Sequence, residues 1–204
     1  MKYGIIWRSF PDYCFILTDL MYYDSLFVDW PTLFFTGKRQ GEGAMKTKDV
    51  ARAVILVAVA VALSPFFIPV GISKCFPAQH MVNVLGAVML GPGYAVAIAT
   101  IAAIIRNILG LGTVLAFPGG MFGALLAGLA YKISKNIYLA GLGEIVGTGV
   151  LGSLASVWIV APLFIGKTMA LATLMIAFSV STIGGTIIGV VALHLLRKGG
   201  IWEP

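Results

Sequence analysis

Apolar runs dominate the chain from Val50 onward, and glycine, proline and isolated charged residues separate them. A helix that crosses the hydrocarbon core of a bilayer needs about 20 mostly apolar residues. The pattern predicts six helices, with approximate bounds of 50–68, 78–91, 93–109, 118–133, 137–161 and 169–196. The second, third and fourth are short, so their ends must be buried in protein or line a cavity, because lipid cannot satisfy free backbone groups. The predicted fold is an all-α integral membrane protein, a compact six-helix transmembrane bundle with a pocket near one face.

Residues 1–44 follow a different pattern, because four aspartates between Asp12 and Asp29 interrupt every apolar run. The segment fits neither a spanning helix nor a signal peptide, which needs an apolar core of about 7–15 residues. Two interpretations stay open. The segment is a poorly ordered extension ahead of a true start at Met45, or it is a genuine aromatic-rich arm at the membrane surface. The predicted membrane domain is 45–204 in both cases.

Composition agrees with this assignment. The 204 residues are 59% hydrophobic and 11% charged, with a mean hydropathy of +0.99, whereas about 25% of the residues of a soluble domain are charged. The net charge of +6 is not gathered into a basic patch, which argues against nucleic-acid binding. Cys14 and Cys75 lack CxxC spacing and histidine partners, so no zinc or redox site is expected.

Lysine and arginine are distributed unevenly between the two sets of predicted loops. With Met45 in the cytoplasm, seven of them lie in inside segments and two, Lys74 and Lys167, lie in outside loops. Positive residues are generally in excess on the cytoplasmic side. The pattern therefore predicts that both termini are cytoplasmic and that the loops 71–78, 110–118 and 162–168 face outward.

Small residues recur at four-residue spacing along most of the predicted helices, for example at Gly143 and Gly147 or at Gly185 and Gly189. Such ridges let helices approach closely in lipid, where packing drives association. Most of them are expected inside the bundle. The pair Ala58 and Ala62 on the first helix is the best candidate for contact with another protein.

Two charged residues lie within predicted spans, Arg106 in the third helix and Glu144 in the fifth. Charges in the membrane interior are costly, and they usually pair or serve a function. A structural ion pair between them and a role in a ligand site are both open. Glu144 shares a helix face with Thr148, four residues on, which predicts a polar stripe.

The richest mixture of aromatic, donor and acceptor groups is the segment 73–83, where a predicted outward loop enters the second helix. Gln79, His80 and Asn83 lie at helical spacing there, behind Phe76. The turn around Phe117 offers a second aromatic edge beside a helix N-terminus. These segments are interpreted either as a lid over a small polar ring or as an ordinary loop and helix start.

The sequence contains no motif of a known enzyme site. GxSxG, HExxH, a phosphate-binding Walker loop and paired carboxylates are all absent, and His80 and His194 are too few for a metal cage. The chain is therefore not expected to be an enzyme or to bind a metal or cofactor. Active transport would need energy from a partner or from an ion gradient.

Five blocks of the sequence together resemble the ThiW family. They are SKCFPAQHMVNV (73–84), LGPGY (90–94), RNILG (106–110), LAFPGGMFGA (115–124) and GEIVGTG (143–149). The resemblance covers residues 45–204. Members of this family are substrate-binding S-components of energy-coupling factor (ECF) vitamin transporters in the prokaryotic cytoplasmic membrane, assigned to the thiazole precursor of thiamin.

The resemblance implies partners and an energy source. The S-component captures its substrate from outside and docks on a transmembrane coupling protein that is driven by two ATPase subunits, which use ATP themselves. S-components meet this module through an Ala-xxx-Ala ridge on the first helix, which corresponds here to Ala58 and Ala62. No cofactor is implied in this chain.

The implied substrate, hydroxyethylthiazole, is a neutral aromatic ring with one ring nitrogen and one hydroxyl, so its site needs a stacking surface, a donor and an acceptor. Since a neutral ligand needs no counter-charge, we expect Arg106 to pair with Glu144 as a structural ion pair. The candidate substrate-binding residues are Phe76, Phe117 and Trp158 for stacking, Gln79, His80, Asn83 or Asn107 as donors, Glu144 as the acceptor, and Thr148 on the same helix face as Glu144.

Three other functions stay open at this stage. One is a self-sufficient secondary transporter of a small heterocycle, which would be expected to show an internal repeat and a membrane carboxylate for ion coupling. Another is an S-component for a different vitamin precursor. A third is a membrane scaffold without a ligand, against which the polar segment and Glu144 argue.

Overall fold

The computed structural model describes residues 47–70, 73–166 and 169–202. Both interpretations of residues 1–44 concern a segment outside the described residues. Within the described residues the chain forms six helices and one short hairpin. Their bounds are α1 Thr47–Ala62, β1 Ile68–Val70, β2 Ser73–Cys75, α2 Pro77–Leu90, α3 Pro92–Ile108, α4 Ala116–Ser134, α5 Ile137–Ile165 and α6 Leu171–Lys198.

The predicted first helix, 50–68, is wrong at its carboxyl end. Helix α1 ends at Ala62, and the chain then turns into a hairpin in which Ile68 pairs with Cys75 across antiparallel strands. Pro65 disfavours helical geometry in the residue before it, and the Ser64 hydroxyl donates to the Ala60 carbonyl at 2.6 Å instead of leaving the last turn open. The hydrophobic run of 61–68 therefore covers a turn and a strand, not a fifth helical turn.

Proline and glycine set the bounds of the short helices. Pro77 and Pro92 occupy the first turns of α2 and α3, where a missing N–H costs nothing. Gly91 separates the two helices with φ +91° and ψ 174°, a conformation that is essentially restricted to glycine. The sequence therefore predicts these two boundaries within a residue.

Helix α5 runs through Pro162 and is not uniformly α-helical. It is α-helical over Ile137–Val146 and π-helical over Gly147–Gly152, and after a short α-helical turn it is π-helical again over Ser156–Ile165. The wider π turn accommodates an interruption of the regular ladder, and such turns are frequent at functional sites. The first π segment begins three residues after Glu144.

Helix α4 is central, packing against α2, α3 and α5, while α2 also packs along α6. The predicted small-residue ridges lie at these contacts. A Cβ added at Gly185 would lie 2.2 Å from the Pro77 carbonyl oxygen, and one at Gly147 would lie 2.5 Å from the Phe122 carbonyl oxygen. Helix α1 is peripheral and packs on α2 and α3, and Ala58 and Ala62 on it are exposed.

One end of the bundle is filled by an apolar cluster built from the carboxyl ends of α2, α4 and α6 and the start of α5. It comprises Val84, Leu85, Val88, Tyr131, Ile137, Ala140, Leu193 and Trp202. Three helices among the described residues are long and apolar enough to cross a membrane, namely α4, α5 and α6, and α3 is a shorter apolar helix. The opposite end holds the site described next.

Candidate substrate site

A cavity of about 340 Å³ lies between α2, α4, α5 and α6. Phe76, Thr113 and Met169 line it from the three connections that precede α2, α4 and α6, so the cavity lies at the end of the bundle opposite the apolar cluster. Its volume is within the range of about 300–1,000 Å³ that small-molecule sites occupy. The remaining lining residues are Gln79, His80, Leu115, Ala116, Gly119, Gly120, Thr148, Leu174, Ala177, Phe178 and Ser181.

The walls are mostly apolar, with an aromatic side chain from each of two elements. Phe76 precedes α2 and Phe178 belongs to α6. The guanidinium carbon of Arg106 lies 4.4 Å from the centroid of the Phe76 ring. The centroids of the Phe67 and Phe76 rings are 6.1 Å apart. The cation and the second ring hold Phe76 in place, so the cavity has a fixed surface on which a flat ring can stack.

Behind this wall Glu144 is fully buried in a cluster of polar groups. Its Oε1 atom accepts from the Asn83 amide at 3.0 Å, lies 2.8 Å from Nδ1 of His80 and lies 3.1 Å from the Thr148 hydroxyl. Its other oxygen, Oε2, has no hydrogen-bond partner among the described residues. His80 and Thr148, which line the cavity, connect Glu144 to the cavity wall.

The predicted ion pair between Arg106 and Glu144 is wrong. Nη1 of Arg106 donates to Oε1 of Gln79, and Glu144 is held by the cluster around His80. Both charges are buried, but α3 and α5 direct them to different partners on α2, at Gln79 and at His80. Within the described part of the chain, Nε and Nη2 of Arg106 lack hydrogen-bond partners.

Two glycines of α4 create the room for these polar side chains. A Cβ at Gly120 would lie 2.7 Å from Nε2 of Gln79. At Gly123 it would lie 2.1 Å from Oγ1 of Thr148 and 2.6 Å from Oε2 of Glu144. The bare face of α4 therefore lets side chains from α2 and α5 meet beside the cavity.

The structure brings together only part of the predicted site. Phe76, Gln79, His80 and Thr148 line the cavity, and Asn83 and Glu144 lie directly behind it. The other three predicted residues are not lining residues. The Asn107 amide donates to the Ala103 and Thr113 carbonyls at 2.8 and 3.5 Å, which connects α3 to the loop before α4. Phe117 is half-buried on α4, and Trp158 is 67% exposed on α5.

Sequence reasoning missed the contribution of α6, above all Ser181. Its hydroxyl oxygen accepts from the Phe76 backbone N–H at 2.8 Å and faces the cavity. Leu174, Ala177, Phe178 and Ser181 all line the cavity, at helical spacing. That periodicity is present in the sequence, but without the packing partner of α6 nothing distinguishes this face from the others.

No group of residues suited to hold a metal ion is found in the described ranges. The site is an apolar cavity with aromatic walls, an amide, an imidazole and hydroxyl groups, which can bind a small uncharged ring.

Comparison with family models matched residues 50–199 to the family described as "Thiamine-precursor transporter protein (ThiW)". Comparison with curated proteins and with solved structures gave no match. The matched family is one of transporters, not of enzymes. The matched residues include five of the described helices in full, all but the first three residues of α1, and every lining residue given above. The chain therefore belongs to the ThiW family of thiamine-precursor transporter proteins and is a membrane transport component for a small molecule.

Proposed function

We propose that this chain is the substrate-capture subunit of an ATP-driven importer of the energy-coupling factor type, and that its substrate is hydroxyethylthiazole. The observation that carries the proposal is the cavity of about 340 Å³, which combines aromatic walls with a few fixed polar groups. Most small-molecule sites share this design, because apolar area supplies affinity and polar groups supply orientation.

Hydroxyethylthiazole matches the cavity group by group. Its flat ring stacks on Phe76 or Phe178, and its nitrogen and hydroxyl find partners at Gln79 and His80. A neutral ligand is consistent with the lining formed by the described residues, which includes no lysine, arginine, aspartate or glutamate. Two charged residues, Arg106 and Glu144, lie behind the lining. Arg106 contacts the lining residue Gln79, and Glu144 contacts the lining residue His80.

The source of energy lies outside this chain. The sequence has no phosphate-binding loop, so ATP is hydrolysed by two partner ATPase subunits that act through a transmembrane coupling protein. The contact surface for the coupling protein is α1, where Ala58 and Ala62 form an exposed ridge of small residues. Small residues permit close helix approach in lipid, which suits a contact between membrane helices.

The cavity faces outward in this proposal. Phe76 and Thr113 lie in loops that the lysine and arginine distribution assigns to the outer side, and Met169 directly follows the third of these loops, 162–168. Substrate then enters from outside, and both termini are in the cytoplasm of a multi-pass protein in the cell membrane.

Two measurements test the proposal. Purified protein is titrated with hydroxyethylthiazole, thiamin and a pyrimidine precursor, and we expect binding of the thiazole in a 1:1 complex in preference to the others. Proteoliposomes that contain the chain with or without the coupling protein and ATPases are then assayed for uptake, and we expect uptake only with the complete module and ATP. Uptake by the chain alone, driven by an ion gradient, would establish a secondary transporter and contradict the proposal.

A further inference from the structure

Two buried charges that do not line the cavity each contact a side chain that does. Arg106 is 2% exposed and contacts Gln79, and Glu144 is 0% exposed and contacts His80. A charged group beside an amide or an imidazole restricts which of its atoms can turn toward it. Each contact therefore determines what Gln79 or His80 offers to a ligand.

A guanidinium group can only donate hydrogen bonds. Arg106 therefore holds the Gln79 side chain with its oxygen toward Nη1, and the amide NH2 turns away from the arginine. That NH2 lies beside Gly120, which lines the cavity, since a Cβ there would be 2.7 Å from it. In the described ranges it has no protein acceptor, so Gln79 presents a hydrogen-bond donor to the ligand.

The hydrogen bonds of Asn83 establish which atom donates in the contact between His80 and Glu144. The Asn83 amide nitrogen lies 3.2 Å from the Gly120 carbonyl oxygen and 3.0 Å from Oε1 of Glu144. A carbonyl oxygen only accepts, so the Asn83 amide nitrogen is the donor in both contacts, and Oε1 of Glu144 is an acceptor. Nδ1 of His80, 2.8 Å from the same oxygen, therefore carries a proton. When the ring carries this single proton, Nε2 is an acceptor, and no described residue hydrogen-bonds to it.

We propose that Arg106 and Glu144 are positioning residues that set the hydrogen-bonding sense of the site, with one donor at Gln79 Nε2 and one acceptor at His80 Nε2. The ligand class that fits is a small heteroaromatic alcohol with an unprotonated ring nitrogen. The inference rests on the proposed function and deepens it, because it states which features of the thiazole are read and by which atoms.

Three ligands separate these features. Hydroxyethylthiazole has both groups, its thiophene counterpart lacks the ring nitrogen, and its methyl ether lacks the hydroxyl proton. Each is titrated calorimetrically into the purified full-length protein. We expect each analogue to bind at least about tenfold more weakly than the thiazole alcohol, because a buried polar group left without its partner is costly.

Two substitutions test the role of Arg106. Gln79→Glu keeps a partner for the arginine, so the protein should fold, but it removes the donor, and the preference for thiazole over thiophene should fall from tenfold or more to about one. Arg106→Met leaves Gln79 in place but frees its amide to turn, and the same preference should fall severalfold. Ile104→Met, an exposed position on the same helix, should leave it unchanged.

The acceptor side is tested with His80→Phe, which keeps an aromatic ring in the cavity wall. The preference for the alcohol over the methyl ether should fall to about one, while the preference for thiazole over thiophene persists. Glu144→Leu removes the acceptor that keeps the His80 proton on Nδ1, so in folded protein the preference for the alcohol over the methyl ether should fall severalfold.

The outcomes distinguish this inference from the proposed function. If the wild-type protein binds no thiazole, the proposed function fails. If it binds thiazole and thiophene equally well, or if Gln79→Glu and Arg106→Met both keep the wild-type preference in folded protein, the donor assignment is overturned while the transport function stands. Binding of the ether as tightly as the alcohol overturns the acceptor assignment.

Discussion

At the scale of single residues, the sequence identifies the two intramembrane charged residues but not their partners. The cost of a charge in a membrane is enough to single out Arg106 and Glu144 from the sequence as candidates for function. Their partners cannot be inferred in the same way, because the partner of a buried charge depends on which helices are neighbours. Gln79 and His80 are adjacent on α2. Gln79 contacts Arg106, and His80 contacts Glu144.

Replacement of Glu144 separates its acceptor role from its charge. All of its hydrogen bonds go to Oε1, and the oxygen of a glutamine can take that place. Glu144→Gln should therefore retain most of the stability, whereas Glu144→Leu should lose several kcal/mol, because buried donors left unpaired cost about 1–3 kcal/mol each. Thermal unfolding of the purified proteins measures the difference, and equal losses for the two variants would contradict the assigned role of Oε1.

Gly123 should tolerate no side chain, because a Cβ would meet Thr148 and Glu144 at 2.1 and 2.6 Å. Gly123→Ala should destabilise the protein by about 1–3 kcal/mol and weaken ligand binding. Gly184→Ala is the matched control, since its Cβ would meet only Pro77 at 3.9 Å, and alanine is favoured over glycine in a helix by up to about 1 kcal/mol. Thermal unfolding and calorimetric binding on both variants check the prediction, and similar results for the two would contradict it.

At the scale of secondary-structure elements, the sequence predicts helix starts better than helix ends. Pro77 and Pro92 mark the starts of α2 and α3, as expected. The hairpin after α1 and the π turns of α5 were not predicted. Hydrophobic periodicity does not encode the local hydrogen bonds found there: the Ser64 hydroxyl donates to the Ala60 carbonyl before the hairpin, and the Ser153 and Ser156 hydroxyls donate to carbonyls four residues earlier in α5.

The junction between α2 and α3 should depend on the backbone of Gly91 alone. No atom lies within 4 Å of a Cβ built there, yet its φ of +91° is unfavourable for any other residue. Gly91→Ala should therefore lower the free energy of unfolding by about 1–3 kcal/mol through backbone strain. Chemical or thermal unfolding measures this, with Gly184→Ala again as control. An unchanged stability would mean that the junction can adopt another conformation.

At the scale of the whole molecule, the sequence predicts a six-helix bundle and a pocket toward one end, and α4, α5 and α6 have the length and apolarity to cross a membrane. The part of the cavity that α6 contributes was not predicted, because the residues that line a cavity depend on which helices meet. Ser181 and Phe178 become site residues only because α6 packs along α2.

Binding and coupling should be separable in this molecule, because the exposed ridge on α1 is distinct from the cavity lining. Ala58→Trp and Ala62→Trp should leave thiazole affinity unchanged and abolish ATP-dependent uptake, since a bulky side chain prevents close helix contact. Ile187→Trp, at a position 60% exposed on α6, is the control and should retain both. Full uptake by the Ala58→Trp and Ala62→Trp variants would place the coupling surface elsewhere.

The cavity beside Gln79 and His80 is proposed to be the thiazole site. Calorimetric titration of purified protein with hydroxyethylthiazole tests this proposal, with wild type compared with Gly120→Ala. The added methyl group would lie 2.7 Å from Nε2 of Gln79, at the far end of a side chain and not in the backbone, so it should displace the donor without unfolding the protein. We expect 1:1 binding by wild type and an affinity about tenfold weaker for the variant. No binding by folded wild type, or equal affinity of the two proteins, would contradict it.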